Sequence, residues 1–300
     1  MIQNLEWYRV FYFTAKTGSL SKAAAELFIT QPAVTQTIKQ LEAQLGGQLF
    51  FRTSRGVKLT AEGEALYQYI AQAYNFIQNG ERRIAGMHQL AEGEIKIGAG
   101  DTLCKHVLLP HLAAFHEAYP SIKIQVTNRT TAETMTLLKQ GEIDLGIVNM
   151  PASDKAVDVR ELLRIEDCFI AGEAFRHLAA RPMAWEELME YPLMLLEKGS
   201  ATRSYLDHFA ERQGRQVKPE IELGSVDLLV EFARRGLGIA YVVKTFITGE
   251  LRAGQLHEIQ LKKPIPPRGI GLATLKDVPL TAAAVTFIQR IQMAQPVEGA

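Results

Sequence analysis

The chain has 300 residues, 47% hydrophobic and 22% charged, ordinary values for a globular protein of two or three domains. No apolar run approaches the ~18–20 residues of a membrane helix, and two cysteines, Cys104 and Cys168, are too few for a disulfide framework. The formal net charge is zero, yet residues 1–60 hold seven basic side chains against three acidic ones, a balance of +4 that the remainder must offset. A basic head on a slightly acidic body suits a small nucleic-acid-binding domain carried by a larger one. The opening segment MIQNLEWYRVFYF lacks the basic start, long apolar middle and cleavage site of a secretion signal, so a cytoplasmic chain with no membrane partner is expected.

A first helix is predicted from Leu5 to Lys16, capped by Asn4 and stopped by Gly18, with Leu5, Tyr8, Phe11 (or Tyr12) and Ala15 on its core face. A second runs from Lys22 to Phe28 with Ser21 as its cap. Its consecutive Ala23, Ala24 and Ala25 allow a neighbouring helix to approach closely. Ile29 and Thr30 form a turn. A third helix then spans Gln31 to Leu45, capped by Thr30 and carrying Pro32 in its first turn, where a missing N–H is tolerated. Val34, Ile38, Leu41 and Leu45 make its apolar stripe, which leaves Pro32, Gln36, Lys39 and Gln40 pointing away and Gln31 and Thr35 flanking. Glutamine can bridge two adenine atoms, and a threonine methyl can touch the thymine methyl. Those groups sit at the N-terminal end that a recognition helix inserts into the major groove.

Leu49 to Thr60 is predicted to form a hairpin turning at Thr53–Gly56, with Arg52, Arg55 and Lys58 on or near the turn. A basic hairpin after a helix-turn-helix makes a winged variant whose cations neutralise phosphates. Thr60 caps a long helix from Ala61 to about Met87, with Glu62 and Glu64 in its first turn. Leu66, Ile70, Ala73, Ile77 and Ile84 follow a heptad seam, broken at Glu81. Such a stripe calls for a parallel or antiparallel helix pair between two subunits, or for packing back on its own domain. Gly86 and the segment Ala91–Gly93 are expected to end the helix and mark the domain boundary.

Residues 1–60 resemble the DNA-binding domain of the LysR-type transcriptional regulators. The resemblance lies in AAAELFITQPAVTQTIKQLEAQLGGQLFFR and the following LTAEGEAL, extends through the long helix and covers the rest of the chain in layout. It implies a homodimer or homotetramer, assembled through the linker helix, that binds double-stranded operator DNA. RNA polymerase is counted among the candidate partners. A C-terminal domain similar to periplasmic solute-binding proteins would sense a small-molecule effector. Carried over by position, Gln31, Pro32, Thr35 and Gln36 read bases, while Thr30, Lys39, Arg52 and the wing (Arg55, Lys58) contact phosphates. Two departures stand out: Thr35 replaces the usual serine and keeps its hydroxyl, and Gln36 stands where many members carry arginine.

The C-terminal two hundred residues alternate strands and helices. Strands are predicted at 94–100, 122–128 and 143–149, with helices at Leu108–Tyr119 and Ala132–Gln140 between them. Further strands follow at 168–172, 193–197, 220–223, 239–243 and 269–275, with helices at Arg203–Arg212, Asp227–Arg235 and Thr281–Met293. The alternation implies parallel sheets covered by helices, an α/β chain overall. The resemblance divides 91–300 into two lobes, about 92–163 with 268–296, and 164–267. Ligands in such folds bind at the carboxyl ends of strands beside helix N-termini. There stand Gly98 to Thr102, Asn128 to Thr131, Asn149, and Lys198 to Arg203, a segment rich in hydroxyls, backbone N–H groups and cations that suits an anion. By family position the effector-binding residues are Thr102, Thr131, Ser200 and Thr202, with Arg203 beside them and Ser225 and Val226 on the opposite wall. Asp101 would repel an anion if it pointed inward.

No catalytic constellation emerges. There is no Gly-x-Ser-x-Gly elbow, His-Glu-x-x-His or Walker lysine, and GAGDTL lacks the third glycine of a dinucleotide fingerprint. His106, two residues from Cys104, has no second ligand pair at metal spacing, so neither metal nor cofactor is expected. The competing readings are a solute-binding module without DNA-binding activity and an enzyme with an unrecognised site.

Overall fold

The computed structural model describes residues 4–53, 56–88 and 93–293. Two compact units form, an N-terminal one reaching Arg82 and a C-terminal one holding both large sheets. No helix among the described residues is long and apolar enough to cross a membrane.

The N-terminal unit is a winged helix-turn-helix. It comprises α1 (Leu5–Thr17), α2 (Leu20–Leu27), α3 (Gln31–Leu45), β1 (Phe50–Thr53), β2 (Gly56–Leu59) and the start of α4 (Ala61–His88). Asn4 caps α1, and Gly18, at φ 62, ends it. The cap of α2 is Ser19 rather than Ser21: it sits in extended backbone and accepts from Lys22 N, while Ser21 lies inside the helix. Thr30 caps α3 and Gly46 closes it. Val10, Phe11, Ala24, Leu27, Val34, Ile38 and Leu41 form the core with Leu49, Phe50 and Val57. Leu5 and Leu45, expected on core faces, are exposed, each lying in the terminal turn of its helix.

The LTAEGEAL segment has a physical explanation. Thr60 Oγ1 donates to Gln48 O (2.7 Å) and accepts from Gly63 N (3.0 Å), while Thr60 N donates to Leu49 O (3.0 Å). A Cβ on Gly63 would stand 2.1 Å from Leu49 O, so only glycine lets α4 start this close to the wing. Glu42 holds the same corner by accepting from Leu49 N at 2.8 Å. Helix α4 passes Gly86 and reaches His88; Ala91, the other expected stop, lies outside the described residues. Leu66, Tyr67 and Ile70 pack on the core, so Leu66 and Ile70 are drawn off the expected seam. The exposed apolar positions are Tyr69, Ala73, Ile77 and Ile84, with Gly80 on the same stripe.

The C-terminal unit contains two five-stranded sheets. The first orders β4 (Ile122–Asn128), β3 (Gly93–Ala99), β5 (Leu145–Asn149), β12 (Arg268–Leu275) and β6 (Val157–Ile165). The second orders β11 (His257–Ile259), β7 (Asp167–Ala171), β10 (Ile239–Val243), β8 (Leu193–Leu196) and β9 (Ile221–Leu223). Neither sheet is purely parallel. Strand β12 runs antiparallel to both its neighbours, and so does β7. Each is the strand that arrives from the other lobe, so it enters its sheet from the opposite end. One consequence matters for the site: β7 and β12 begin where their neighbours finish, with Asp167 opposite Val243 and Ile270 opposite Asn149.

Helices α6 (Leu109–Ala118), α7 (Thr131–Lys139) and α12 (Ala282–Met293) cover the first sheet, and α8 (Trp185–Leu188), α9 (Ala201–Glu211), α10 (Val226–Arg234) and α11 (Thr248–Arg252) belong to the second lobe. Ahead of α6 come α5 (Asp101–Leu103) and a π-turn, Cys104–Leu108, so helical backbone starts at Asp101 rather than Leu108. Phe115 meets Phe287 edge-on at 5.2 Å in the first core, and Phe169, Tyr241 and Trp185 anchor the second.

Candidate functional site

In the N-terminal unit, Thr30, Gln31, Pro32, Gln36 and Lys39 are exposed along one side of α3, and Thr35 is half-buried. Gln31 and Thr35 are tied together: Gln31 Nε2 donates to Thr35 Oγ1, which itself donates to Gln31 O, both at 3.1 Å. The wing pairs Phe51 with Lys58 and Arg52 with Val57. Side chains alternate across a strand pair, so Arg52 shares the face of buried Val57 while Lys58 is on the other face. Arg52 therefore joins Thr35 and Lys39 around one groove between helix and wing, and Lys58 stays outside it. Arg55 lies outside the described residues. Among the described residues, none of Lys39, Arg52 and Lys58 has a carboxylate partner, which leaves these cations available.

In the C-terminal unit, a cleft of about 390 Å³ opens between the lobes at the carboxyl ends of the parallel strands. Thr102 and Thr131 line it from the first lobe, and Ser200, Thr202 and Val226 from the second. Asn149, at the end of β5, also lines it. Four side-chain oxygens of this set already accept a hydrogen bond. Ser200 Oγ accepts from Arg203 N (3.1 Å), Thr131 Oγ1 from Asn149 N (3.1 Å), and Thr202 Oγ1 from an Arg268 amino group (3.0 Å). Asn149 Oδ1 accepts from the other Arg268 amino group.

Two expected members are not brought in. The Arg203 guanidinium is buried and turned away, bound to Asp207 (2.9 Å), Glu222 (2.6 Å) and Leu196 O (3.1 Å). Ser225 caps α10 through Leu228 N and is absent from the cleft wall. Asp101 stays at the rim, held by Asn128 Nδ2 at 3.0 Å, and the rim also carries Arg129 and Lys198. Glu133 lies there too, its carboxyl held below its usual range by hydrogen bonds from the Thr130 side chain and backbone.

Arg268 has no signal in the local sequence. It starts β12, is 2% exposed, and pairs with fully buried Asp167 through Nε (2.6 Å) and a second nitrogen (3.0 Å). The pair joins positions 101 residues apart, and only the reversal of β7 and β12 carries both to the cleft floor. The two cysteines stand apart from this network. Burial pushes the Cys168 thiol far above its ordinary value and raises Cys104 as well, which makes both poor nucleophiles.

Comparison with known proteins settles the family. Residues 5–64 match the model of the bacterial regulatory helix-turn-helix protein, lysR family, and residues 88–295 match the LysR substrate binding domain. The chain belongs to the LysR family. This LysR-type protein is a DNA-binding transcriptional regulator with an effector-binding domain, not an enzyme. It is 27% identical to the HTH-type transcriptional regulator YofA of Bacillus subtilis, over 94% of this chain and 96% of the relative. In fold it resembles full-length OxyR of Pseudomonas aeruginosa (TM-score 0.72, 20% identity, all of both chains). It also resembles full-length CbnR in complex with its target DNA (TM-score 0.67, 16% identity, 98% of this chain and 100% of that one).

Proposed function

We propose that this regulator reads operator DNA through Gln31, Pro32, Thr35 and Gln36, grips phosphates through Thr30, Lys39, Arg52 and the wing cations, and answers to a small carboxylate held in the interlobe cleft. Residues 1–60 form the reader, 61–90 the linker and 91–300 the sensor. The exposed stripe of Tyr69, Ala73, Ile77, Gly80 and Ile84 on α4 joins two subunits, since a single helix with an unsatisfied apolar seam buries it against a partner. Solved full-length CbnR on its target DNA supports the DNA arm by likeness of fold.

The observation that carries the effector class is the state of the oxygens lining the cleft. Thr131, Ser200, Thr202 and Asn149 each accept one hydrogen bond from the protein, which ties up one lone pair of each oxygen and leaves three hydroxyl protons and an amide NH2 as the donors a ligand can meet. A carboxylate, which only accepts, fits such a lining.

A thermal-shift screen of the full chain against small metabolites, carboxylates first, tests the sensor. A ligand at ~100 times its dissociation constant stabilises by about 2.7 kcal/mol. A response confined to amines or neutral sugars would refute the carboxylate reading. For the reader, Arg52→Ala should lower the slope of log affinity against log salt by about 0.9, the value for one lost phosphate contact.

A further inference from the structure

We infer that Arg268 sets the selectivity of the effector cleft without touching the effector: it is the positioning residue that makes the cleft floor a donor surface. The inference rests on the carboxylate reading above and goes beyond it by naming what imposes that preference.

A guanidinium can only donate. Arg268 spends its N–H groups on Asp167 (2.6 and 3.0 Å), on Thr202 Oγ1 (3.0 Å) and on Asn149 Oδ1. Thr202 and Asn149 could each present either an acceptor or a donor to the cleft. With one lone pair of each oxygen engaged from behind, both oxygens are turned toward the guanidinium, and the Thr202 hydroxyl proton and the Asn149 Nδ2 are the groups freed to meet a ligand. Thr202 is itself only 9% exposed and lines the cleft. Among the described residues nothing accepts its hydroxyl proton, a buried donor that awaits a partner. The Asn149 backbone N–H extends the same ordering to Thr131 Oγ1 at 3.1 Å.

The charge of Arg268 does not itself reach the ligand. Asp167 neutralises it in a buried, two-pronged pair, so the cleft gains donor polarity without net positive charge. Tyr205 fixes the arrangement from the side: its ring lies 5.4 Å from the guanidinium and its hydroxyl donates to Pro266 O at 3.0 Å, two residues before Arg268. The same guanidinium joins β12 and β5 of the first sheet to β7 and α9 of the second lobe. An effector that pulls on Thr202 or Asn149 therefore acts on the tie between the lobes, a direct route from occupancy to lobe geometry.

The test measures affinities of the full-length chain for sodium salts of small monocarboxylates, each paired with its neutral primary amide, by thermal shift and calorimetry. Removing Arg268 alone would strand Asp167 in the interior, which is strongly destabilising. The informative variant is the double change Arg268→Met with Asp167→Leu, which removes both charges at similar volume. We expect the wild-type chain to prefer a carboxylate over its amide. We expect the double variant to lose that preference by about tenfold, the scale of one good hydrogen bond, while still binding the amide. Arg268→Lys keeps the charge beside Asp167 but cannot reach Thr202 and Asn149 together, so it should show the same loss and serves if the double variant does not fold. A wild-type chain that responds to no carboxylate overturns the cleft reading itself. A wild-type preference that survives in the variants, or a loss that falls equally on carboxylate and amide, overturns the role of Arg268 alone.

Discussion

Gly63→Ala offers the sharpest check on how the reader is built, because the usual rule predicts the opposite sign. In an ordinary helix the change stabilises by ~1 kcal/mol. Here the new Cβ would lie 2.1 Å from Leu49 O, where real Cβ contacts stay beyond 3.0 Å, and the obstacle is backbone. Helix α4 must retreat from the wing by most of an ångström. That movement strains three hydrogen bonds at the corner, all involving Thr60, each worth about 1 kcal/mol. Overpacking alone costs about 1–3 kcal/mol. Against the propensity gain, a net loss of about 2–4 kcal/mol is expected. Trp7 packs against this core and Trp185 against the second sheet. Urea unfolding followed by Trp7 fluorescence in a Trp185→Phe background isolates the N-terminal transition. A variant as stable as its parent, or more so, would refute the close-approach argument.

Three further outcomes follow from individual residues. Phe28 is 94% exposed and sits at φ 56 at the end of α2; since left-handed backbone costs a non-glycine residue ~1–2 kcal/mol, Phe28→Gly should raise the unfolding free energy of the N-terminal unit, measured by urea titration, by up to about 1 kcal/mol after the glycine entropy cost. His106 stacks on Phe246 at 4.5 Å, and burial, then Lys105, lowers its pKa from 6.5 against the pull of Asp227 and Glu250. A depressed histidine stabilises fully above its unfolded value, and that stability is lost as pH falls from 6.5 toward the lower folded value. His106→Gln should therefore flatten the acid side of the stability profile, leaving a residue from His111, which burial also lowers. Ile77, 53% exposed on the α4 stripe, should shift the sedimentation of the full chain toward monomer when changed to Glu; an unchanged assembly would place the interface elsewhere.

The reader was legible in the sequence because its determinants are local. Thr30, Pro32 and Gly46 bound α3 within a few residues of where they stand, and the wing turns at a glycine. Where two equivalent signals compete, local rules fail: Ser19 and Ser21 are both good caps, and Gly18, by closing α1 in left-handed backbone, leaves Ser19 next in line. Strands β6 and β11 escaped because each lies at a sheet edge, and β6 shows no alternation in its burial. The cleft was half legible. Hydroxyls at strand ends and helix starts mark Thr102, Thr131, Ser200 and Thr202. Arg203 looks equally suited from its place at a helix start, yet Asp207 one turn on and Glu222 across the lobe claim its guanidinium. Arg268 was hidden for the converse reason, since its role comes from tertiary partners alone.

The proposed contacts use cations in two opposite ways, and ionic strength should separate them. Among the described residues, Lys39 and Arg52 are exposed and have no carboxylate partner, so the proposed phosphate contacts draw on counterion release. Raising salt from about 50 to about 200 mM should weaken it by orders of magnitude in proportion to phosphates neutralised. In the cleft, the charge of Arg268 is cancelled by Asp167 and shielded from solvent, and a ligand held by the proposed Thr202 and Asn149 donors would meet neutral dipoles that salt screens little. Over the same range, carboxylate affinity should change by less than about twofold, because buried interactions escape Debye screening. A carboxylate affinity that fell as steeply as DNA affinity would mean that Arg129 and Lys198 at the rim hold the ligand by long-range charge. The donor set behind Thr202 and Asn149 would then be scaffold rather than recognition surface.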